Sequence, residues 1–269
     1  GALELNGILQ NGSGAGPDGG EIRVAGTLNI FGVGPNGEGL DVGRNVPGKV
    51  HVLGSGILNV AGNMDTWWAD GSIVDLTGGA TDITVQGTYY WGPTATINAN
   101  INSAAFAPIK VPGDLSIQGG TLNVNFTNGF VPTSSNSWTL FDAETRGGAI
   151  TNVNSNGLPP GNRLAVTYGA GGTYGQVVTI DVDSTLNIKV NQATGAVTLE
   201  NPSVGAAAMN IDGYIIRSGL YVLTPGSFTG VGTPGWLPGT APSQSPKLIS
   251  ETNFNGSLSV APGASYPLG

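Results

Sequence analysis

The 269-residue sequence predicts an all-β protein: a right-handed parallel β-helix (solenoid) over residues 1–184 followed by a small β-sandwich over 185–269. Three observations predict it. One phrase recurs four times, as Gly20-Glu-Ile22-Arg-Val24-Ala-Gly26, Gly48-Lys-Val50-His-Val52-Leu-Gly54, Thr81-Asp-Ile83-Thr-Val85-Gln-Gly87 and Gly113-Asp-Leu115-Ser-Ile117-Gln-Gly119. A second phrase, Leu-Asn-aliphatic, follows three of the copies at Leu28-Asn29-Ile30, Leu58-Asn59-Val60 and Leu122-Asn123-Val124. The third observation is compositional. Glycine supplies 46 of 269 residues and charged residues only 10 %, yet 39 % are hydrophobic. A disordered chain is poor in aliphatics and rich in charge, so short strands divided by glycine corners fit better.

The equivalent residues Ile22, Val50, Ile83 and Leu115 are 28, 33 and 32 residues apart, inside the window of about 20–50 that marks stacked repeats. Alternation of aliphatic with polar residues turns one strand face inward and the other to solvent. Stacking is expected to align those four residues in an aliphatic column, with the Asn residues of the second phrase forming an amide ladder. Gly26 and Gly54-Ser-Gly56 suit the corners between strands. Right-handedness follows from the general preference of parallel crossovers. Gly32 to Pro47 and Asn63 to Gly79 read as projecting loops, and the remaining copy of the phrase, ending at Gly87, leads into Tyr89-Tyr90-Trp91. From Thr139 the text changes. Thr139–Ala143, Leu164–Tyr168 and Val177–Val182 read as longer strands that close the last turn, as a stacked repeat requires.

The second unit begins near Leu186. Leu186–Val190, a turn at Asn191–Gly195, and Ala196–Leu199 form a hairpin signature. Ile211–Ile216 and Ser257–Val260 add strands, while the proline-rich stretch Gly230–Pro246 reads as loop. Short strands at this spacing suggest a sandwich.

In function, composition excludes more than it selects. Net charge is −8 with nine basic residues, which disfavours nucleic acid and anionic lipid. No apolar run reaches the ~20 residues of a membrane helix. Absence of cysteine removes disulfides, thiolate metal sites and cysteine nucleophiles. Together these features suit a secreted bacterial protein, extracellular or at the cell surface. The chain opens on Gly1 without a signal peptide, as expected of a mature or trimmed form.

Thr139-Leu-Phe-Asp-Ala143 with Leu158-Pro-Pro-Gly161, following Gly-x-Leu-Asn-Val turns, resembles the passenger-type β-helix repeat proteins secreted by planctomycetes and related bacteria. Leu186-Asn-Ile-Lys-Val-Asn191, Thr194-Gly195, Leu199-Glu-Asn-Pro202, Ile211-Asp-Gly-Tyr214 and the phrase Leu258-x-Val-Ala-Pro-Gly263 are similar to their C-terminal β-sandwich module. The resemblance implies an extracellular structural role. It also implies further strands after the Ala-Pro-Gly phrase, so the sandwich is expected to be incomplete.

Reactive chemistry is thinly supplied. The single histidine, His51, is read as an outward strand residue, since one His without a partner defines no triad. Asp65, Asp70 and Asp75 lie near Trp67 and Trp68 in sequence, with Arg44 and Lys49 as nearby cations. That would suit a polysaccharide lyase or hydrolase, the third-ranked reading, though fold analogy alone does not establish activity. Asp181 and Asp183 could hold calcium but read better as solvated strand residues. The Asn-Gly pairs at Asn6, Asn11, Asn36, Asn128, Asn156 and Asn255 are turn formers. No catalytic residue, cofactor or metal is expected.

Trp67, Trp68, Tyr89, Tyr90 and Trp91 have two readings, as a plug of the stack or as an exposed patch for a protein or glycan. The expected function is an extracellular structural protein that associates with itself into a filament, sheath or surface layer. Association would use end-to-end stacking or strand donation, through Leu3, Leu5 and Ile8 at one end and Leu258, Val260, Tyr266 and Leu268 at the other. The alternative is a glycan-binding or adhesive module.

Overall fold

Residues that alternate aliphatic and polar over three to six positions can bury only one face, and this chain is built almost wholly from such segments. The computed structural model describes residues 2–7, 9–11, 19–66, 70–77, 81–191, 193–203, 208–217, 219–220, 223–224, 228–232, 234–238 and 245–268. Among the described residues all regular structure is β, and no helix is long and apolar enough to cross a membrane. The chain divides into two compact units, one of residues 1–158 with 164–182, the other of residues 159–163 with 183–269.

In the first unit the strands come in threes. The first turn holds β1 (Ala2–Leu5), β2 (Leu9–Asn11) and β3 (Glu21–Val24). The second holds β4 (Thr27–Ile30), β5 (Glu38–Val42) and β6 (Lys49–Leu53), and the third β7 (Ile57–Val60), β8 (Asn63–Asp65) and β9 (Ile73–Thr77). The fourth holds β10 (Asp82–Val85), β11 (Tyr89–Trp91) and β12 (Thr96–Ile101). In the fifth, β13 (Ile109–Ile117) runs along two faces and β14 (Thr121–Phe126) along the third. A sixth turn repeats this plan with β15 (Ser137–Gly148) and β16 (Asn152–Asn156). Each strand pairs in parallel with its counterpart one turn later.

This register fixes three faces and their inward columns. On the first face Leu3, Leu28, Leu58, Ile83, Ile109 and Phe141 stack. On the second, Leu9, Leu40, Met64, Tyr89 and Leu115 stack. On the third, Ile22, Val50, Val74, Ile97, Leu122 and Val153 stack. Most of these side chains are fully buried, and each such burial stabilises by about 1.5–3 kcal/mol.

The expected column of Ile22, Val50, Ile83 and Leu115 does not form. Ile22 does stack on Val50, but Ile83 stacks on Leu58 and Leu115 on Tyr89. All three faces carry the same aliphatic-x-aliphatic text, so the phrase alone does not say which face it occupies. Loop lengths decide that, and stacked partners range from 23 residues apart (Val74 and Ile97) to 32 (Ile109 and Phe141). The amide ladder splits for the same reason. Asn59 donates to Asn29 at 2.8 Å on the first face, whereas Asn123 donates to Asn98 at 2.8 Å on the third.

Thr139–Ala143 is not yet the closing structure, because it lies inside β15 and continues the parallel stack. Closure comes from the hairpin of β17 (Asn162–Gly171) and β18 (Gly175–Ser184). β18 pairs antiparallel with Ser137–Ala143 of β15 and so occupies the edge where a seventh parallel strand would lie. The hairpin turn is tied by a buried carboxylate: Asp142 accepts the Thr173 amide at 2.7 Å and the Tyr174 amide at 3.0 Å. Gly172, at φ 72°, is required there, since a Cβ would collide with that carboxylate. Arg146 continues the second-face column beyond Leu115. Its guanidinium lies 4.6 Å from the Tyr168 ring centroid, so a cation–π contact ends the apolar column.

Three aromatic residues fill the lower core, with Tyr89 and Trp91 at 5.5 and 5.8 Å from the Phe141 ring. The Tyr89 hydroxyl has no hydrogen-bond partner among the described residues. Burial pushes this phenol well above the usual tyrosine range, and the nearby Thr66 offsets only part of that.

The second unit is antiparallel throughout. β19 (Asn187–Val190), β20 (Val197–Glu200) and β26 (Ser265–Pro267) form one sheet, and β21 (Met209–Ile211) with β25 (Leu258–Val260) a second. β22 (Gly213–Arg217), β24 (Leu248–Asn253) and β23 (Trp236–Pro238) form the third. The hairpin at Asn191–Gly195 forms, closed by the Asn191 amide on the Ala196 carbonyl at 2.8 Å. The stretch expected to be all loop contributes β23, an edge strand whose terminal Pro238 needs no second neighbour. Leu199, Trp236, Leu258, Val260 and Leu268 make the core. Two buried polar groups organise it. Asn201 donates to the Val260 carbonyl at 2.8 Å, and Glu251 accepts the Tyr214 hydroxyl at 2.5 Å and the Val231 amide at 2.8 Å. Burial first, and then Glu251, raises the Tyr214 phenol above its ordinary range.

Three outcomes are expected in unfolding experiments. Leu58→Ala lowers the stability of the first unit by about 2–5 kcal/mol, read in urea. Tyr89→Phe removes a buried hydroxyl without a partner and leaves stability equal or raised by about 1 kcal/mol. Because both phenols are raised in the fold, their neutral forms support it below the unfolded tyrosine value of about 10, and that support is lost as pH climbs beyond it. Stability measured against pH therefore falls on the alkaline side, less steeply for Tyr89→Phe and Tyr214→Phe.

Candidate functional site

The outward positions of the third face carry a polar ladder six strands long. Arg23, His51, Asp75, Asn98, Asn123 and Asn154 stand in register on six successive strands. His51 Nδ1 lies 3.0 Å from Asp75 Oδ2, and His51 Nε2 lies 3.6 Å from Glu21, which also pairs with Arg23 at 2.7 Å. Asn100 donates to Asp75 at 2.6 Å, and Asn125 donates to Asn100 at 3.0 Å. Asn154 donates to Asn123 at 2.9 Å. The histidine is thus held between carboxylates as one element of a ladder. Among the described residues no hydroxyl hydrogen-bonds to it, so a nucleophile for His51 to activate is lacking there.

The acids read together from sequence are dispersed. Asp65 stands outward on the second face and Asp75 on the third, while Asp70 accepts the Thr94 hydroxyl at 2.9 Å. Arg44 pairs at 2.6 Å with Asp41, a fully buried carboxylate that sequence reading passed over, and Lys49 opens β6. Asp181 accepts hydroxyls of Ser137 and Thr167 at 2.6 and 2.9 Å, and Asp183 pairs with Arg163 at 3.3 Å. Among the described residues no three His, Asp or Glu side chains converge as a metal site.

The aromatic set divides. Trp67 and Trp68 lie outside the described residues. Tyr89 and Trp91 are wholly buried and cannot belong to an exposed patch, because strand alternation turns both inward; Tyr90 alone of that trio faces out. The expected docking ends divide too. Leu3 is 58 % exposed, Leu5 is half-buried, and Ile8 lies outside the described residues. Leu258, Val260 and Leu268 are core of the second unit, against which Tyr266 packs, so they are not free to dock.

Two features escaped sequence reading. The first is the outer edge of β16, a strand that among the described residues pairs only with β14 and has all five residues exposed. The Asn152 amide bonds back to Gly120 at 3.1 Å. Amides alternate in direction along a parallel strand, so those of Val153 and Ser155 point to the unpaired side. The Asn154 ladder ends there as well, its carboxamide oxygen facing onward. The signal was the Asn-Val-Asn-Ser-Asn text, alternation with a single aliphatic residue.

The second is a groove of about 430 Å³ along the second face, lined by Asn36, Glu38, Asn63, Asp65, Tyr90, Ser116 and Gln118. Asn36 clasps Glu38 through its backbone amide at 3.0 Å and its side-chain amide at 2.8 Å. The side-chain bond from Asn36 is the main cause that holds the Glu38 carboxyl below its usual range. In sequence the Asn36-Gly pair signals only a turn.

Replacing Asn123 by Ala removes both a donor to Asn98 and an acceptor for Asn154, and is expected to lower stability by about 1–2 kcal/mol, measured by thermal unfolding.

Compared with protein-family models, with curated proteins and with solved structures, the chain gives no match to any of the three.

Proposed function

We propose that this chain is an extracellular or cell-surface structural protein that associates with itself by strand addition. In this reading the first unit is a three-sided, right-handed parallel β-solenoid and the second a β-sandwich. The likeness of its motifs to the passenger-type repeat proteins of planctomycetes belongs to the same proposal. What recurs from turn to turn is apolar packing and amide pairing, with no repeated reactive group, and that favours a structural task over an enzymatic one.

The observation that carries the reading is the edge of β16. An exposed strand with amides and a carboxamide directed outward is a template for pairing with another chain. The occupant is β3 of a second copy, which ends the same sheet at its opposite side. Parallel pairing there would set Val153 over Ile22 and continue the aliphatic column, whereas antiparallel pairing of two β16 strands would interrupt it. A head-to-tail contact of this type does not close and yields fibres.

Light scattering over a concentration series, with electron microscopy of the products, tests this. The expected result is concentration-dependent polymers, abolished by Ser155→Pro, which removes an outward amide and spares those facing β14. A chain that stays monomeric at every concentration, or a Ser155→Pro variant that polymerises unchanged, overturns the proposal.

A further inference from the structure

We propose that the groove on the second face binds an uncharged oligosaccharide lying across the strands. The inference stands apart from self-association. Its groups come from β5, β8, β11 and β13, with Asn36 just before β5 and Gln118 just after β13, on four successive turns of one face. Neighbouring strands lie ~4.8 Å apart, so the lining extends roughly 14 Å, the reach of a short run of sugar rings. The volume of about 430 Å³ falls within the roughly 300–1,000 Å³ of ligand pockets.

The chemistry is that of a sugar site. A pyranose has an apolar face of C–H bonds and a rim of hydroxyls. Among the described residues Tyr90 is the single aromatic of the lining, and its half-buried ring stands between polar neighbours on both sides along the stack. Such a ring receives the C–H face. Carboxylates and carboxamides around it address the hydroxyls, Glu38 and Asp65 as acceptors, Asn63 and Gln118 as amides.

These groups are already held in place. Asn63 accepts the Thr88 amide at 2.8 Å and donates to the Asn36 carbonyl at 3.4 Å. Gln118 donates to the Ser116 hydroxyl at 2.8 Å. Among the described residues the Tyr90 hydroxyl and the Gln118 carbonyl oxygen have no hydrogen-bond partner, so both remain for a ligand. Preorganisation of this kind lowers the entropy cost of binding.

Charge selects within the class. Among the described residues two carboxylates and no Lys or Arg line the groove, so uronate-rich or sulfated glycans are repelled. A protein partner is a poorer fit, since the described lining, with one aromatic and no aliphatic residue, lacks the apolar centre of such interfaces.

Calorimetric titration of the whole chain with soluble gluco-, manno- and N-acetylglucosamine oligosaccharides, and with a polyuronate as the acidic arm, tests the proposal. Binding of at least one neutral series is expected, weakened about tenfold or more, or ~1.4 kcal/mol, by Tyr90→Ala. Gln118→Ala should weaken the same series, and Tyr90→Phe should retain stacking and much of the affinity. Circular dichroism of each variant reports the fold. Absence of binding by every neutral series, binding by the polyuronate alone, or unchanged binding by a folded Tyr90→Ala variant overturns it. Ser155→Pro should bind sugar as the parent does, which keeps this outcome separate from that of assembly.

Discussion

In-register stacking is the constraint on which the first unit depends. Once Leu28 sits over Leu3, every inward position of the next turn must be apolar and of compatible size, and every outward position must tolerate a like neighbour about 4.8 Å away. Aliphatics meet the first demand. The second is harder, because stacked like charges repel, and the chain answers it with amides and with alternating signs. Asn98, Asn123 and Asn154 pair amide to amide, and Lys110 pairs with Asp82 at 3.0 Å on the first face. The low content of charge in the sequence is the compositional trace of that solution.

A stack must also stop. Here the stop is chemically mixed. A hairpin takes the strand edge of β15, the Arg146 guanidinium over Tyr168 covers the second-face column, and Asp142 fastens the hairpin turn. The third face is treated differently, since β16 has no such cover on its outer edge. That asymmetry makes β16 distinctive among the strands of the sixth turn, and it arises from hairpin placement rather than from anything within β16 itself.

How far the sequence could be read follows from the same physics. The β character, the parallel stacking and the inward aliphatics were legible because alternation is written residue by residue. The face assignment of Ile83 and Leu115 was not, since it depends on loop lengths whose geometry alternation does not encode. Strand parity places Tyr89 and Trp91 inward, which fits the plug reading for those two and leaves only Tyr90 of the trio to the patch reading. Tyr90 and Glu38, more than fifty residues apart in sequence, become neighbours along one groove only after three turns are stacked. The burial of Asp142 carried no local signal at all, because its partners lie beyond residue 170.

The direction of the hydrogen bonds in the first unit has a mechanical consequence. The covalent chain winds across the stacking direction while the interstrand bonds run along it, so the unit is anisotropic under load. Tension applied along the strands is borne by the chain itself and by many interstrand bonds acting in parallel. Tension along the stack passes through each boundary between turns in series, and the weakest boundary sets the breaking point. Irregular registers occur at two such boundaries, between Glu38 and Leu40 where β5 meets β8 and between Val111 and Asp114 where β13 meets β15. Under pulling, each boundary that ruptures would release a whole turn as a discrete length of chain.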